Sequence, residues 1–392
     1  MSEAELLLLI VTCVYLVECA RWWRHDAVLF VSRDGVRFVP RWASARLGNQ
    51  TGGLAWAWPL PPLGVQFSCH TMPLAVSPLG VYATHVEQLS PNARATSTNV
   101  ARRWDAIRSV NRFGSDVFLD QTRLAHFRSD AAARFWTDWL TELQRKSPEK
   151  RESMIVEQLR QSLDSERVRE RLELYRTATR SIRRVGNLLW MLIAVSGPAL
   201  VWLDGFWMHW PWLLGGLVTL VLCQSFLYQR AHRRLYPLAR WQRLGHALIV
   251  IISPLSAIRA HDWLAHDLLL TQHPLAVARV LLAEREFHEF TRRVWLDLRY
   301  PLTDEIDVAD QAIDPGAMVV WFRQQWLQLV EERLRAWQVM VTDLETPPVR
   351  ESDETLGYCP RCHDPVTLIE TNCPRCIGVA VVPWVRASEH AS

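Results

Sequence analysis

The chain has 392 residues and a formal net charge of +3. This length accommodates two or three domains, and so small a charge gives no electrostatic argument for binding to nucleic acid. The eight cysteines, four of them in one C-terminal cluster, do not resemble a disulfide framework.

An apolar run at residues 4–20, AELLLLIVTCVYLVECA, is the first predicted element and is just long enough to span a bilayer. The residues before it carry no basic charge, unlike the start of a secretory signal. Arg21 and Arg24 follow it, with two tryptophans between them. We therefore predict a transmembrane anchor whose C-terminal end faces the cytoplasm.

Residues 25–145 are predicted to form a cytoplasmic β-rich domain with a closing helix. Strand-forming residues alternate around Asp34-Gly35, which is typical of a hairpin. Further on come a tryptophan strand from Trp104 to Val110, a strand at Val117–Leu119 after a glycine, and a helix from about Asp130. This order over residues 99–145 resembles the end of bacterial PH-like membrane-associated domains, and the resemblance implies only the fold.

A long charged helix is predicted for residues 149–185, and it leads into a second apolar region at residues 187–228. Gly197-Pro198, Asp204-Gly205 and Pro211 interrupt this region, which favours a transmembrane helical hairpin over one long helix. Apolar residues on the charged helix repeat with heptad spacing and need a partner that covers them: Val168, Leu172, Tyr175, Thr179 and Ile182.

Arginines flank the apolar region on both outer sides, whereas the turn inside it has no Lys or Arg. The positive-inside rule therefore places both outer ends in the cytoplasm. The flanking residues are Arg176, Arg180, Arg183 and Arg184 before the region and Arg230, Arg233, Arg234, Arg240 and Arg243 after it.

Residues 244–258, LGHALIVIISPLSAI, are short for a further span and contain Pro254. We favour an interfacial or buried segment. The alternative is a fourth crossing, which would move everything that follows to the outside.

Residues 259–345 are predicted to form a helical domain. Its last helix, at residues 318–345, repeats the heptad spacing from Leu327 to Leu344, so pairing of two chains into a homo-oligomer is an alternative to packing within one chain. The domain also contains dispersed histidines. A membrane-associated metal enzyme could use His261, His266 and Glu284/His288 as ligands, with His273 nearby, but a five-residue step on a helix separates two rings by about 140°.

A linker at residues 346–357 precedes the strongest motif, YCPRCHDPVTLIETNCPRCIG. Its two C-x-x-C pairs are ten residues apart, a spacing typical of a four-thiolate structural zinc site. Residues 358–384 thus resemble a short zinc ribbon, although ribbons usually have glycine where His363 and Ile377 stand. Iron, free thiols and disulfides are alternatives. The predicted ligands are Cys359, Cys362, Cys373 and Cys376.

The predicted fold class is an α+β membrane protein of the plasma (inner) membrane with cytoplasmic domains and structural zinc. The predicted function is a scaffold or adaptor that recruits a cytoplasmic protein partner. The alternatives are the histidine-dependent enzyme and an accessory subunit of a transport complex. No catalytic motif for phosphate, acyl or dinucleotide chemistry is present.

Overall fold

A computed structural model describes most of the chain and divides it into two compact units. The first unit comprises residues 1–70 and 165–281, and the second comprises residues 71–164 and 282–392. The described residues are 28–31, 67–70, 74–87, 96–126, 130–202, 206–237, 240–253, 257–258, 260–300, 315–350, 354–367, 372–376 and 378–384, with single helical residues Glu3, Leu6, Leu9, Ile10 and Cys13 in and beside the predicted anchor.

Short strands of the first unit, β1 (Val28–Val31) and β2 (Phe67–His70), pair in parallel. The predicted hairpin around Asp34-Gly35 lies outside the described residues. In the second unit β3 (Leu74–Val76), β4 (Gly80–Glu87) and β5 (Thr96–Arg103) form one antiparallel sheet. A second antiparallel sheet contains β6 (Val110–Phe113), β7 (Asp116–Leu119) and β8 (Thr122–His126).

The tryptophan strand predicted from Trp104 to Val110 is wrong. Strand β5 ends at Arg103 and the chain turns. The Trp104 indole is buried, and its N–H donates to the carbonyl of Ser77 at 2.8 Å. The strand predicted at Val117–Leu119 lies within β7, and the predicted closing helix is α1 (Asp130–Gln144).

The predicted charged helix 149–185 is divided into two helices. Helix α2 (Pro148–Ser162) ends at Leu163, and α3 (Ser165–Met191) begins two residues later. The Ser162 hydroxyl donates to the carbonyl of Leu159 at 2.6 Å. Ser and Asp side chains bond to nearby backbone groups and favour helix ends. The boundary between the two units along the chain falls at this break.

In the first unit the chain is helical without a break from Ser165 to Trp202. A π-helical turn at Leu192–Ser196 joins α3 to α4 (Gly197–Trp202). Proline has no N–H to continue the helical ladder, so a local change of winding before Pro198 is expected. Further helices of this unit are α5 (Phe206–Leu235), α6 (Arg240–Ile252), α7 (Ala260–His266) and α8 (Pro274–Leu281).

Helices α3 and α5 pack with opposite directions. Ile182 accepts a hydrogen bond from Gln224, whereas a Cβ on Gly216 would lie 3.6 Å from Leu192. Residue numbers therefore increase along α3 in the direction in which they decrease along α5, so the two helices are antiparallel. The heptad stripe of α3 is fully buried by this packing and by α7 and α8, so within the described residues the stripe is covered inside one chain.

Large apolar side chains are exposed on α3, α4, α5 and α6 and on the π-helical turn of the first unit. Helix Met208–Leu235 is the described helix that is long and apolar enough, by length and composition, to cross a membrane, and most of its apolar stretch is not buried within the protein. Helices α3 and α6 also expose apolar residues. The exposed set includes Leu188, Met191, Val195, Trp202, Met208, Trp212, Val218, Leu222, Phe226, Leu248 and Ile252.

Three further helices and a ribbon complete the described part of the second unit. Helix α9 spans Glu284–Arg299, α10 spans Pro315–Ala336 and α11 spans Val341–Leu344. The predicted single helix 318–345 is therefore interrupted, because Gln338 adopts a φ of 61° and terminates α10. The buried positions of α10 are Met318, Phe322, Trp326, Leu329, Val330 and Leu334. Of the predicted heptad from Leu327 to Leu344, Val330, Leu334 and Leu344 are buried, and the other three positions are half-buried.

A buried side-chain amide, that of Gln224, fixes the packing of α3 and α5. Gln224 is fully buried and its Nε2 donates to the carbonyls of Ile182 at 3.0 Å and Ala257 at 2.9 Å. We expect Gln224→Leu to lower the free energy of unfolding by about 1–3 kcal/mol, because a buried carbonyl loses its donor. Thermal unfolding in detergent measures this. Gln229→Leu, at an exposed position of the same helix, should change it little, and equal effects would contradict the assignment.

Candidate metal centre

The four predicted cysteines converge at one point of the second unit. A three-stranded sheet positions them: β9 (Gly357–Tyr358) lies between β10 (Pro365–Val366) and β11 (Val382–Pro383). Cys359 follows the central strand directly. The bridge between Asn372 and Ala380 closes the loop that contains the second pair. The two turns thus bring their sulfur atoms together.

Distances between the sulfur atoms match a tetrahedral site. All four Sγ atoms lie within 4.8 Å of one another, and those of Cys362 and Cys373 are 3.8 Å apart. Four thiolates at 2.3 Å from one zinc ion would have sulfurs about 3.8 Å apart. The described cysteines are free, so the disulfide alternative is not realised among them. The residues fit a metal with no open coordination position, but the distances do not distinguish zinc from iron.

Both turns have the hydrogen bonds of a metal-binding knuckle. The N–H of His363 donates to the carbonyl of Cys359 at 2.8 Å, and the N–H of Cys373 donates to the carbonyl of Val379, also at 2.8 Å. The N–H of Cys376 points at the Cys373 sulfur at 3.3 Å. These bonds hold the sulfurs in place without any contribution from a metal.

The missing glycines are replaced in two different ways. In the first turn His363 adopts a φ of 61°, the left-handed conformation that glycine usually provides. In the second turn Gly378, two residues after the last cysteine, takes this conformation with a φ of 76°. The departure from the usual ribbon sequence therefore leaves the geometry of the turns intact.

Burial governs the protonation of the cluster. It raises the pKa of the Cys362 thiol strongly, because a thiolate is poorly solvated in apolar surroundings. For the same reason it raises the pKa of the Cys376 thiol to about 11. At Cys373 burial acts in the same direction, but hydrogen bonds from the N–H groups of Arg375 and Cys376 outweigh it and lower the pKa. A metal cation would displace the remaining protons on binding.

Arginines surround the cluster, and sequence reasoning did not identify their role. The arginine of each CPRC motif has a carboxylate partner: Arg361 bonds to Asp297 at 3.0 Å, and Arg375 bonds to Asp364 at 2.6 Å. Four thiolates and one divalent cation have a net charge of −2, which nearby guanidinium groups offset. The repeated arginine of CPRC was the available signal in the sequence.

Helix α9 holds the ribbon in place. Arg292 Nη2 donates to His363 Nδ1 at 2.8 Å and to the carbonyl of Thr346 at 2.6 Å. Burial and the Arg292 charge lower the pKa of His363, which favours the neutral ring that this hydrogen bond requires. Trp295 also donates to Glu345 at 2.9 Å. The ribbon and the start of the predicted linker are therefore attached to α9, so the ribbon is not free on a tether.

The alternative histidine site is not formed in the part of the chain that the structure describes. Among described side chains, the four cysteines are the one group of three or more potential ligands that lies close enough to hold a metal. His261 is buried in α7, and the His266 side chain lies outside the described residues. Burial lowers the pKa of His273 to about 3, which is typical of a neutral core histidine.

Comparisons with known proteins do not assign the chain to a family. No family model, curated protein or solved structure matches it. The similarity to zinc ribbons therefore rests on the four clustered cysteines. The similarity of residues 99–145 to PH-like domains stays a prediction.

Loss of one ligand should abolish metal binding. We expect the purified wild-type chain to contain about one zinc per chain and Cys373→Ser to contain none, because three thiolates hold the ion far more weakly. Elemental analysis for zinc and iron together measures both metals. Cys223→Ser, at an exposed cysteine elsewhere, should retain the metal; iron that persists in Cys373→Ser would place the metal away from the ribbon.

The left-handed residue of the first turn provides a second, graded test. His363→Gly and His363→Ala both remove the contact with Arg292, but only glycine adopts a positive φ without steric cost. We expect the glycine variant to be about 1 kcal/mol more stable than the alanine variant. Zinc-dependent thermal unfolding of the two variants measures the difference. Equal stabilities would mean that this backbone conformation is not maintained.

Proposed function

We propose that the chain is a membrane-anchored scaffold or adaptor that recruits a cytoplasmic protein partner through its zinc ribbon and the helices beside it. The observation that carries the proposal is the closed four-cysteine site. Four sulfur ligands leave a zinc ion no position for water or substrate, so such a site stabilises a small domain and does not catalyse a reaction.

Apolar side chains on the first unit support the membrane anchor. Trp202 is 87% exposed and Trp212 is 80% exposed, and further exposed apolar residues precede Trp202 and follow Trp212 along the chain. Leaving such surface in water costs about 25 cal/mol per Å². A lipid environment removes this cost, and a contiguous exposed patch on this scale is typical of an interaction surface.

The spacing of arginine and tryptophan fits a bilayer. Arg184 and Trp202 lie 18 positions apart, as do Trp212 and Arg230. At 1.5 Å per residue each interval spans about 27 Å, close to the hydrocarbon thickness of about 30 Å. Because α3 and α5 run in opposite directions, the arginines of both helices come to one end. We assign this pair as a transmembrane hairpin with the arginine end in the cytoplasm of the plasma (inner) membrane.

The second unit provides surfaces for a partner. The ribbon is fixed on α9 by two arginine contacts, so a partner would meet a rigid surface and not a mobile tether. The buried heptad stripe of α3 is unsuited to the alternative in which that helix pairs two chains. Zinc then acts by keeping the ribbon folded.

Separation of anchoring from recruitment tests the proposal. We expect wild-type, Cys223→Ser and Cys373→Ser chains to remain in carbonate-washed membranes, because the apolar helices do not depend on zinc. Protein cross-links identified by mass spectrometry should be shared by the first two chains and lost from Cys373→Ser. Identical cross-links in all three chains would refute recruitment through the ribbon, and extraction of the wild type by carbonate would refute the anchor.

A further inference from the structure

The path of residues 240–258 indicates which side of the membrane the rest of the chain occupies. The chain enters and leaves this segment at one place: the Tyr236 hydroxyl, just before the segment, donates to the carbonyl of Leu264, just after it, at 2.7 Å. On the same side Tyr175 of α3 donates to the carbonyl of His261 at 3.0 Å. Both contacts lie beyond Arg184 and Arg230, at the arginine end of α3 and α5.

From this entrance α6 runs back along α5. The Tyr228 hydroxyl and His246 Nδ1 are 2.7 Å apart, and the Ser225 hydroxyl donates to the carbonyl of Ala247 at 3.2 Å. Lower residue numbers on α5 thus meet higher numbers on α6. Along α5, Gln224 lies about 9 Å beyond Arg230 toward the tryptophan end. Ile252 lies about 7.5 Å past Ala247 in the same direction, which places the end of α6 near the middle of the bilayer.

The next described residues have returned to a shallower level. Gln224 Nε2 donates to the carbonyl of Ala257 at 2.9 Å. A Cβ on Gly186 would lie 2.6 Å from the carbonyl oxygen of Ile258, so the backbone approaches α3 where only glycine fits. A crossing segment would have continued toward the tryptophan end. The Ala257 carbonyl instead accepts from the Gln224 side chain, and α7 follows at the arginine end.

Polar backbone groups of this segment have partners inside the protein. The N–H of Ser253 donates to the carbonyl of Ile249 at 2.9 Å, and the N–H of Ala257 donates to that of Ser253 at 3.0 Å. Non-helical backbone at membrane depth is tolerated only when it is satisfied in this way. The buried Gln224 amide therefore has a specific role, because it supplies a donor where water is absent.

One face of α6 matches a lipid leaflet. Ala247 and Val250 are buried. The opposite face exposes apolar side chains near its deep end, and the shallow end has Arg240, Arg243 and an exposed Trp241 at the level expected for headgroups. The exposed apolar residues are Leu244, Leu248, Ile249, Ile251 and Ile252.

We propose that the chain is re-entrant here: α6 dips into the arginine-side leaflet and contacts its acyl chains through its exposed face, and at Ala257 and Ile258 the chain is returning to the same side. This inference rests on the proposed membrane anchor. The helices after residue 258 and the ribbon then stay on the arginine side, and the fourth crossing does not exist.

Labelling from one side of the membrane tests this path. The full-length chain, with Cys13, Cys19, Cys69 and Cys223 changed to Ser, would receive one new cysteine: Arg233→Cys before the segment, Arg285→Cys after it, or His209→Cys at the opposite end. All three positions are exposed. In sealed inside-out vesicles a membrane-impermeant maleimide should label the first two and not the third, and the chain without a new cysteine gives the background.

The outcomes distinguish failure of the re-entrant path from failure of the proposed membrane anchor. If Arg285→Cys is protected together with His209→Cys, the segment crosses and the inference is overturned while the anchor stands. If all three are labelled and the chain is extracted by carbonate, the membrane anchor itself fails.

A spin label at Ile252→Cys should show high accessibility to oxygen and low accessibility to a polar nickel chelate. Spin–spin broadening there would instead identify a second copy of the chain as the occupant of this face.

Discussion

The buried side-chain amide of Gln224 donates hydrogen bonds at 3.0 and 2.9 Å to carbonyls of two different segments, and the packing of the first unit depends on it. A buried donor or acceptor without a partner costs about 1–3 kcal/mol, so these segments have few alternative registers. Gly186 permits the close approach that the amide requires. The apolar exterior of the same helices is satisfied only by an apolar environment.

The same requirement for buried polar groups acts at the cysteine cluster. Four thiols within 4.8 Å of one another cannot all ionise without a cation, because burial disfavours thiolates and like charges repel. The turns present their sulfurs through backbone hydrogen bonds, and the arginines of the CPRC motifs bring compensating charge. A metal therefore completes a structure that the chain has largely organised. This explains why a closed site suits a role in recognition better than one in catalysis.

Our two proposals connect the units through the chain and not through a shared site. If residues 240–258 return to the arginine side, α9 and the ribbon follow on that side without further constraint. The arginine-rich ends of α3 and α5 would then mark the membrane face from which recruitment occurs. The break between α2 and α3 at Leu163 falls at the boundary between the two compact units.

The sequence by itself determined the local features of this protein. Cysteine spacing predicted the cluster of four cysteines, because a C-x-x-C turn is a short-range property, and the heptad spacing of α3 predicted a buried stripe. Only the tertiary structure decided which partners these features have. The break at Leu163, the end of α10 at Gln338 and the turn at Trp104 depend on side-chain contacts or a backbone conformation that residue spacing does not encode. The attachment of the ribbon to α9 joins residues 71 positions apart, and the buried Gln224 donates to carbonyls that lie 42 and 33 positions away. Long-range contacts of this kind are set by packing and not by local propensity, so they cannot be inferred from neighbouring residues.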